Sequence, residues 1–401
     1  MKVILPVFLF LIFPLLAISQ NKVSGTVVNG SDGKPLPGAS IFINNGSNGT
    51  VTDAEGKFAL AGITSANFEL VVSFVNYQTI VVKITPENIG KRFRIEMEPK
   101  PQELQEVVIG PILKDGWQVW GKTFTDYFIG TSKNATQCVI KNPKVLRFRY
   151  DKKNQVLKVT ALDKMIILNN ALGLQIDYQL EEFRYDGKAR MMSFYGYSSF
   201  KKMTSKRRKK QEEWINKRRE AYNGSMMHFI RSVYENKTEQ EGFELRQLIR
   251  LYKSDTLLRP YYDSIMAGLK TIFDPALYSM QLMKDGQFSS DPIIYILGKQ
   301  PLSCDSIRTF DTTSKSWYLT FQNNLQLVYK KELETEEYAQ QMGQKVTSRK
   351  YQTSILQLPN QRAVLIEKNG LYFDPLDLFS EGYLGWEKMA EMLPNDYEPG
   401  D

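Results

Sequence analysis

Hydrophobic and polar residues alternate in short segments along the first part of the chain. Segments such as KVSGTVV, ASIFIN, FELVVSF, TIVVKI and RFRIEME are rich in β-branched and aromatic residues, as is typical of strands. Clusters of Gly, Pro, Asn and Asp separate them, including NGSDGKPLPG, NNGSNG and DAEG, and such clusters mark turns. About seven strands at this spacing predict a small antiparallel β-sandwich over residues 20–98.

The pattern changes after Pro99 and Pro101, and we place a linker at residues 99–114. From 115 to 401, strand-like segments mix with helical ones, which predicts a second, α+β domain with an antiparallel sheet. Two β-hairpins are expected in it. Their strands are VLRFRY and QVLKVTAL for the first hairpin, and LGLQIDYQLEEFRY and ARMMSFYGY for the second.

Three helices are predicted in this second region. The segments 206–222 and 225–234 are separated by NGS, in which Ser225 is suited to cap the second helix. A third helix is expected near 383–392. The remaining strand-like segments are FELRQLI, IIYIL, SWYLTFQNNLQLVYKKEL, YQTSILQL and AVLIEKNGLYF.

The first 19 residues are predicted to be a signal peptide. Lys2 precedes an apolar run over residues 3–18, which is short for a membrane-spanning helix. The run ends with Ala17 and Ser19 on either side of one larger residue, as at a signal-peptidase site. We expect cleavage after Ser19 and an exported protein without a transmembrane span, in the periplasm or associated with the outer membrane; an uncleaved anchor is the alternative.

The formal net charge of +8 is concentrated in one segment. Residues 201–220, KKMTSKRRKKQEEWINKRRE, hold ten Lys or Arg and three Glu, so the rest of the exported chain is close to neutral. A helix this basic is suited to an anionic surface of lipid or glycan; a solvated helix face is the alternative, and export argues against nucleic acid. The candidate contact residues are Lys206, Arg207, Arg208, Lys209, Lys210, Lys217, Arg218 and Arg219.

The segment GWQVWGKT, residues 116–123, fits the phosphate-loop pattern G-x-x-x-x-G-K-[ST]. A phosphate loop follows a buried strand and needs small residues for close backbone approach, whereas this segment has two bulky indoles. Trp117, Trp120, Phe124 and Phe128 fall at helical spacing. We therefore expect a helix that packs on the core, and no nucleotide cofactor.

Few residues are suited to metal or nucleophilic chemistry. His228 is the one histidine, in an apolar context on a predicted helix, and we expect it to be a core residue. Cys138 and Cys304 lie far apart in sequence and either pair in an oxidising compartment or remain thiols. Carboxylate pairs such as Asp255 with Asp263, or Glu181 with Glu182, are the candidates for an alternative function, glycan hydrolysis.

The N-terminal segment GTVVNGSDGKPLPGASIFINNGSNGTVTDAEGKFAL resembles the carboxypeptidase-regulatory-like domain, a transthyretin-like sandwich. Its pattern is G-x-V, then G-x-P-L-x-G-A, then G-T-x-T-D-x-x-G-x-F. The residues in register are Gly25, Val27, Gly33, Pro35, Leu36, Gly38, Ala39, Gly49, Thr50, Thr52, Asp53, Gly56 and Phe58. The glycines permit tight turns, and Asp53 is suited to cap the turn at Gly56. A metallocarboxypeptidase itself needs several zinc ligands that include histidines, which one histidine does not supply.

This domain often precedes TonB-dependent outer-membrane receptors, and ELQEVVI, residues 103–109, is similar to the strand that leads into their plug. The sequence after it lacks the repeated alternating segments of a large barrel. It resembles instead an uncharacterised envelope family through FIGTSKNATQCVIKNP, NNALGLQIDYQLEEF, GSMMHFIRSVYENKTEQEGFEL and GYLGWEKMAEMLPNDYEP. We expect a non-catalytic envelope protein that binds or scaffolds at the periplasmic side of the outer membrane, accessory to TonB-dependent uptake. Its expected partner is an outer-membrane protein or an anionic surface, and we expect no metal or cofactor.

Overall fold

The computed structural model describes residues 22–63, 67–100, 110–189, 191–252, 293–373 and 375–401. The expected signal peptide, the segment 103–109 and the pair Asp255 and Asp263 lie outside these residues. The described chain is mostly β, with several antiparallel sheets and few helices. None of the helices in these ranges is long and apolar enough to cross a membrane.

The front domain, which we define as residues 22–100, consists of two β-sheets. One has the strand order β4-β1-β7 and the other β3-β2-β5-β6. Val27, Ile41, Leu70 and Met97 are fully buried in its core. The bounds are β1 (Val23–Asn29), β2 (Ser40–Ile43), β3 (Gly49–Val51), β4 (Lys57–Leu60), β5 (Phe68–Ser73), β6 (Ile80–Ile84) and β7 (Arg92–Met97).

The pairing of the front domain departs from the prediction at one point. β1 pairs with β7 in parallel, so the sheets are not antiparallel throughout.

The predicted turn cap is confirmed, because Asp53 Oδ1 accepts hydrogen bonds from the backbone N–H groups of Glu55 (3.1 Å) and Lys57 (2.7 Å). Gly56 has φ +71°, and a Cβ there would lie 2.5 Å from the carbonyl oxygen of Val27, which explains the glycine.

The central sheet is organised by the long strand β12, which pairs with β13 on one side and with β11 and β10 on the other. Both predicted hairpins are confirmed, as β9 with β10 and β12 with β13. Helix α1 contributes Phe124 and Phe128 to the core of this sheet. The bounds are α1 (Gly116–Phe128), β8 (Cys138–Ile140), β9 (Leu146–Asp151), β10 (Val156–Ala161), β11 (Met165–Asn169), β12 (Leu174–Asp186) and β13 (Met191–Lys202).

Two further sheets follow, with the orders β15-β14-β18-β19-β21 and β16-β17-β20. The bounds of their strands are β14 (Phe243–Tyr252), β15 (Ile293–Leu297), β16 (Arg308–Asp311), β17 (Ser316–Leu319), β18 (Asn324–Leu333), β19 (Tyr351–Gln357), β20 (Val364–Ile366) and β21 (Phe379–Gly382). Among the described residues of this part of the chain, the helices are α2 (Arg208–Tyr222), α3 (Met226–Tyr234), α4 (Glu336–Gln341) and α5 (Tyr383–Trp386).

Helix α2 begins two residues later than predicted and ends at the predicted residue, and α3 matches its prediction with Ser225 as the cap. Ser225 caps α3, and its hydroxyl accepts from the N–H of His228. The predicted helix near 383–392 is wrong beyond Trp386. Glu387 has ψ 132° and Lys388 is extended, with φ −130° and ψ −161°, so the helix stops there and a 3-10 turn, Met389–Glu391, follows.

The front domain docks through the turn that follows β2. The Asn45 N–H donates to the carbonyl oxygen of Ser198 (2.8 Å), and the Phe200 N–H donates to that of Gly46 (2.9 Å). On the other side of the turn, the Asn395 N–H donates to the carbonyl oxygen of Asn45 (2.6 Å). This turn therefore lies between the edge of β13 and the C-terminal segment, and it extends the central sheet locally.

Candidate functional site: a basic helix on the central sheet

Helix α2 is fixed to the loop that joins β11 and β12. Trp214 is buried, its Nε1 donates to the carbonyl oxygen of Asn170 (2.9 Å), and its indole covers Gly173. A Cβ at position 173 would lie 2.2 Å from Cδ2 of Trp214, and Gly173 has φ +66°. The loop requires glycine on both grounds, and its shape determines where the helix lies.

The prediction that Arg218 belongs to the contact surface is wrong. Its side chain is 6% exposed, so it is not available to a surface ligand. Its Nη1 donates to the carbonyl oxygen of Leu172 (2.8 Å), and its Nε and Nη2 donate to that of Asp401 (3.0 and 2.7 Å). Burial lowers the pKa of Arg218, although the nearby Tyr397 and Asp401 act in the opposite direction. Arg218 is therefore a structural residue that holds α2 on the central sheet.

Three of the remaining candidates are paired with acids of the same helix. Arg208 pairs with Glu212 (2.9 Å) and Lys210 with Glu213 (3.3 Å). Lys217 pairs with Glu220. Lys210 also lies over the indole of Trp214, 5.7 Å from the ring centroid. Exposed pairs of this kind contribute little to stability, and they reduce the charge that these three residues offer to a ligand.

Four candidates keep a free positive charge within the part of the chain that the structure describes. These are Lys206, Arg207, Lys209 and Arg219; all four are exposed, and no described acid lies within ion-pairing distance of them. Three of the four precede or begin helix α2. The exposed cations without a described acidic partner are therefore fewer than the sequence predicted, and Arg219 lies ten residues beyond Lys209 along α2.

The N-terminus of α2 is unusual because cations surround it. Its first turn has no acidic residue, and the side chain of the N-cap residue, Arg207, makes no capping hydrogen bond. The positive end of a helix dipole favours anions and disfavours cations, by about 0.3–1 kcal/mol for each charge. The local sequence therefore destabilises the start of the isolated helix. An anion bound at this end would offset the repulsion between the cations and the helix dipole.

The segment GWQVWGKT lies in helix α1, as the spacing of its aromatic residues predicted. Phe124 and Phe128 are fully buried, and Trp117 and Trp120 pack at the margin of the same core. A Cβ on Gly116 would lie 2.5 Å from Cβ of Phe148. The pattern's glycines thus serve helix packing, and its residues belong to a helix rather than to a loop.

His228 is a core residue, as expected from its context. The ring stacks on Tyr222, with centroids 4.7 Å apart. Its Nδ1 accepts from the N–H of Gly224 (3.1 Å), so its Nε2 carries the proton that faces Glu241 (3.2 Å). Burial lowers the pKa of His228, partly offset by Glu241, and both ring nitrogens are satisfied.

The predicted carboxylate pair Glu181 and Glu182 does not act as a unit. The Thr79 hydroxyl donates to Glu181 (2.6 Å), which belongs to the contact with the front domain. Glu182 pairs with Lys158 (2.7 Å).

The two cysteines are both free thiols, and burial raises the pKa of Cys138 to about 12. No group of three or more potential metal ligands was found within the described ranges.

A carboxylate group that the sequence did not predict forms where β18 meets the segment 387–391. Glu332 of β18, Glu387 and Glu391 constitute this acid cluster, and burial raises the pKa of all three. The charges of Glu391 and Glu332 also raise the pKa of Glu387. Glu391 accepts from the Ser132 hydroxyl (2.5 Å) and Asn134 Nδ2 (2.8 Å). Glu332 is separated from Glu387 and Glu391 by about 60 residues, and no sequence pattern indicates that they lie in one group.

Comparisons with known proteins concern mainly the front domain. Two TonB-dependent receptors of Formosa agariphila are 32% identical over 91 residues and 27% identical over 109 residues. The matches cover 23% and 27% of this chain, and the chain spans only 8% and 10% of the length of these two relatives.

Two solved structures are similar at a level too low to support a shared fold. A protein of unknown function from Bacteroides fragilis has 8% identity and a TM-score of 0.16, with 91% of this chain and 95% of that chain covered. A type II cohesin–X–dockerin complex from Acetivibrio cellulolyticus has 19% identity and a TM-score of 0.15, with 19% and 56% covered. The family model of the CarboxypepD_reg-like domain matches residues 23–109, and this part of the chain is therefore a CarboxypepD_reg-like domain.

Proposed function

We propose that the protein is an exported, non-catalytic envelope protein that binds an anionic surface through helix α2. The observation that carries this proposal is the group of four exposed cations, Lys206, Arg207, Lys209 and Arg219, with no described acidic partner. Each Lys or Arg near an anionic membrane contributes about 1 kcal/mol of attraction. Four such residues supply enough attraction for reversible peripheral binding.

The way α2 is held supports this role. Trp214 and Arg218 fix the helix to the β11–β12 loop, so Lys209 and Arg219 project from a rigid base. A rigid base lowers the entropy that binding would cost. The helix does not resemble an inserted amphipathic helix, because its buried residues Trp214, Arg218 and Ala221 already pack on the protein. We infer electrostatic contact without insertion.

The setting of this function is inferred from the front domain. The relatives that share it are named TonB-dependent receptors, and we infer a place at the periplasmic side of the outer membrane, accessory to uptake by such receptors. We further propose that the front domain is a seven-stranded transthyretin-like sandwich, followed by a separate α+β domain over residues 115–401. In this arrangement the front domain contacts a protein partner while α2 contacts lipid or glycan phosphate.

The test is co-sedimentation of the protein without residues 1–19 with anionic vesicles across a salt series. Wild type is compared with the fourfold variant Lys206→Gln, Arg207→Gln, Lys209→Gln and Arg219→Gln. A double variant, Arg208→Gln with Lys210→Gln, is the control because these residues are already paired. We expect wild type and control to bind and to be released by salt, and the fourfold variant not to bind.

A second candidate function is favoured by the acid cluster. Carboxyl groups with raised pKa values are suited to general acid catalysis near neutral pH, and glycan hydrolysis uses two such groups. Trp386, which directly precedes Glu387 and is partly exposed, is a ring of the kind that sugars stack on. Release of reducing sugar from cell-wall glycan by wild type, and its loss in Glu387→Gln with a melting temperature no lower than that of wild type, would support this function over the first.

A further inference from the structure

The first half of strand β14 has an edge that is only partly paired within the described ranges. β15 covers this edge in the second half of β14, whereas β18 pairs with the opposite edge of the first half. Two backbone hydrogen bonds continue on the β15 side. One runs from the Gly298 N–H to the carbonyl oxygen of Gln247 (2.8 Å) and the other from the Leu302 N–H to that of Leu245 (2.7 Å). The chain after β15 therefore follows this edge without completing a ladder.

Two backbone groups on this edge have no backbone partner among the residues that the structure describes. Successive residues of a strand direct their backbone groups to opposite edges, and the Lys330 N–H of β18 donates to the carbonyl oxygen of Gly242 (2.8 Å). The groups of Phe243 and Leu245 therefore point away from β18. The Phe243 N–H donates to the carbonyl oxygen of Thr238 (2.8 Å). The carbonyl of Phe243 and the N–H of Leu245 remain available.

Phe243 and Leu245 line a cleft of about 480 Å³, a volume within the range of small-ligand sites. The two residues are 3% and 1% exposed, and their side chains belong to a hydrophobic core, so they form this wall through their backbone. Pro301 and Leu302 also line the cleft and add apolar surface. The cleft thus combines an open strand edge with apolar contacts.

Most of the charged side chains that line the cleft already have a partner of opposite charge. The ion pairs are Lys330 with Glu244, Lys237 with Glu235 and Asp305 with Arg308. Glu239, the other charged residue of the lining, is exposed. The cleft therefore favours a ligand that is recognised by hydrogen bonds and apolar contact rather than by a strong net charge.

We propose that this cleft binds a short extended peptide, which adds to the edge of β14 as a further strand. A peptide N–H donates to the carbonyl oxygen of Phe243, a peptide carbonyl oxygen accepts from the N–H of Leu245, and small side chains pack against Pro301 and Leu302. Strand addition to an open edge is a recurring mode of peptide recognition, and it satisfies backbone groups that are otherwise unpaired. The site goes beyond the proposed function, since neither α2 nor the acid cluster contributes to its lining.

The experiment is an NMR titration of the isotope-labelled, folded protein. The probes are acetyl-trialanine amide, the same peptide with its alanine nitrogens methylated, unblocked trialanine, and maltotriose. The test variant, Ser303→Tyr, fills the cleft from an exposed position in its lining. The matched control is Ser306→Tyr, because Ser306 is exposed, lies outside the lining and shares a hydroxyl hydrogen bond with Ser303 (2.9 Å), which both variants lose. Thermal melts show whether each variant is folded.

We expect the blocked peptide to cause saturable shifts centred on the Leu245 amide, and to slow hydrogen exchange of that amide, in wild type and in Ser306→Tyr. Ser303→Tyr should bind at least about tenfold more weakly, and the methylated peptide and maltotriose should not bind. Tighter binding of unblocked trialanine identifies a free peptide as the ligand, whereas equal or tighter binding of the blocked form identifies an internal segment of a protein chain.

Three results would overturn the proposal. The first is the absence of saturable binding of either unmethylated peptide by wild type. The second is equal binding of the methylated peptide, which would show that the backbone N–H groups of the ligand are not recognised. The third is an equal loss of binding in Ser303→Tyr and Ser306→Tyr, which would place the peptide outside the cleft.

Discussion

The indole of Trp214 lies against Gly173, so close that a Cβ on residue 173 would be 2.2 Å from Cδ2 of the ring. Because Gly173 also has φ +66°, the β11–β12 loop and helix α2 are compatible only with glycine at this point. The position of the basic helix is therefore determined by a loop about 40 residues earlier in the chain.

Gly173→Ala is expected to destabilise the protein through two effects. The left-handed backbone costs about 1 kcal/mol for a residue with a side chain, and displacement of the indole adds about 1–3 kcal/mol. Urea denaturation gives the change in free energy of unfolding. Gly343→Ala is the control, since Gly343 has φ +67° but no atom within 4 Å of a Cβ. Equal losses in free energy of unfolding for the two variants would contradict the role of the Trp214 contact.

Arg218→Gln is expected to lower the free energy of unfolding by about 1.5–3 kcal/mol for each charged hydrogen bond that is lost. The carbonyl oxygens of Leu172 and Asp401 would lose their donors. Arg219→Gln, one residue further along α2, is exposed and should change stability by no more than about 0.5 kcal/mol. Chemical denaturation of both variants tests whether Arg218 is a structural residue. Similar free energies of unfolding for the two variants would show that it is not.

His228 should remain neutral at physiological pH. Burial among Tyr222, Phe243 and Tyr329 lowers its pKa, with Glu241 acting in the opposite direction and Lys331 and Arg231 in the same one. The unfolded chain therefore binds a proton more readily than the folded one, so stability should fall as the pH drops below about 6.5. A proton NMR titration of the single imidazole gives the midpoint directly. A midpoint at or above 6.5 would be inconsistent with this burial.

Glu387→Gln should stabilise the protein at neutral pH. The pKa of Glu387 is raised by burial and by Glu391 and Glu332, so the folded state disfavours its charged form. This cost is absent below the pKa of the unfolded chain, near 4.5, and fully present above the raised folded value. Melting temperatures measured from pH 4 to pH 8 should show a gain for the variant that grows with pH. A gain independent of pH would indicate a cause other than charge.

Several local features could be predicted because neighbours in sequence cause them. Asp53 and Gly56 form the predicted turn, Ser225 caps α3, and Phe124 and Phe128 lie on the buried side of α1. The burial of Arg218 was also predictable from its neighbours in sequence. Trp214, Arg218 and Ala221 follow the i, i+4, i+7 spacing of a buried helix face, but the charge of the arginine concealed it.

Features that depend on register or on distant segments could not be predicted. Arg149, Lys158 and Arg184 lie opposite one another because three strands pair, and a one-residue slip would place them on the opposite face. The acid cluster joins Glu332 to Glu387 and Glu391 across two elements. The last helix was overestimated because its apolar spacing continues past Trp386, while the backbone at Lys388 is extended to dock Met389 and Ala390 in the core.

The central claim is that α2 presents a free cation group to an anionic surface. The most direct measurement is the salt dependence of vesicle binding by wild type and by the fourfold variant Lys206→Gln, Arg207→Gln, Lys209→Gln and Arg219→Gln. Removal of four charges should take away up to about 4 kcal/mol of attraction, so we predict that only wild type sediments with vesicles at low salt and that it is released as salt rises. Equal sedimentation of the two proteins, or binding of neither, would contradict the account.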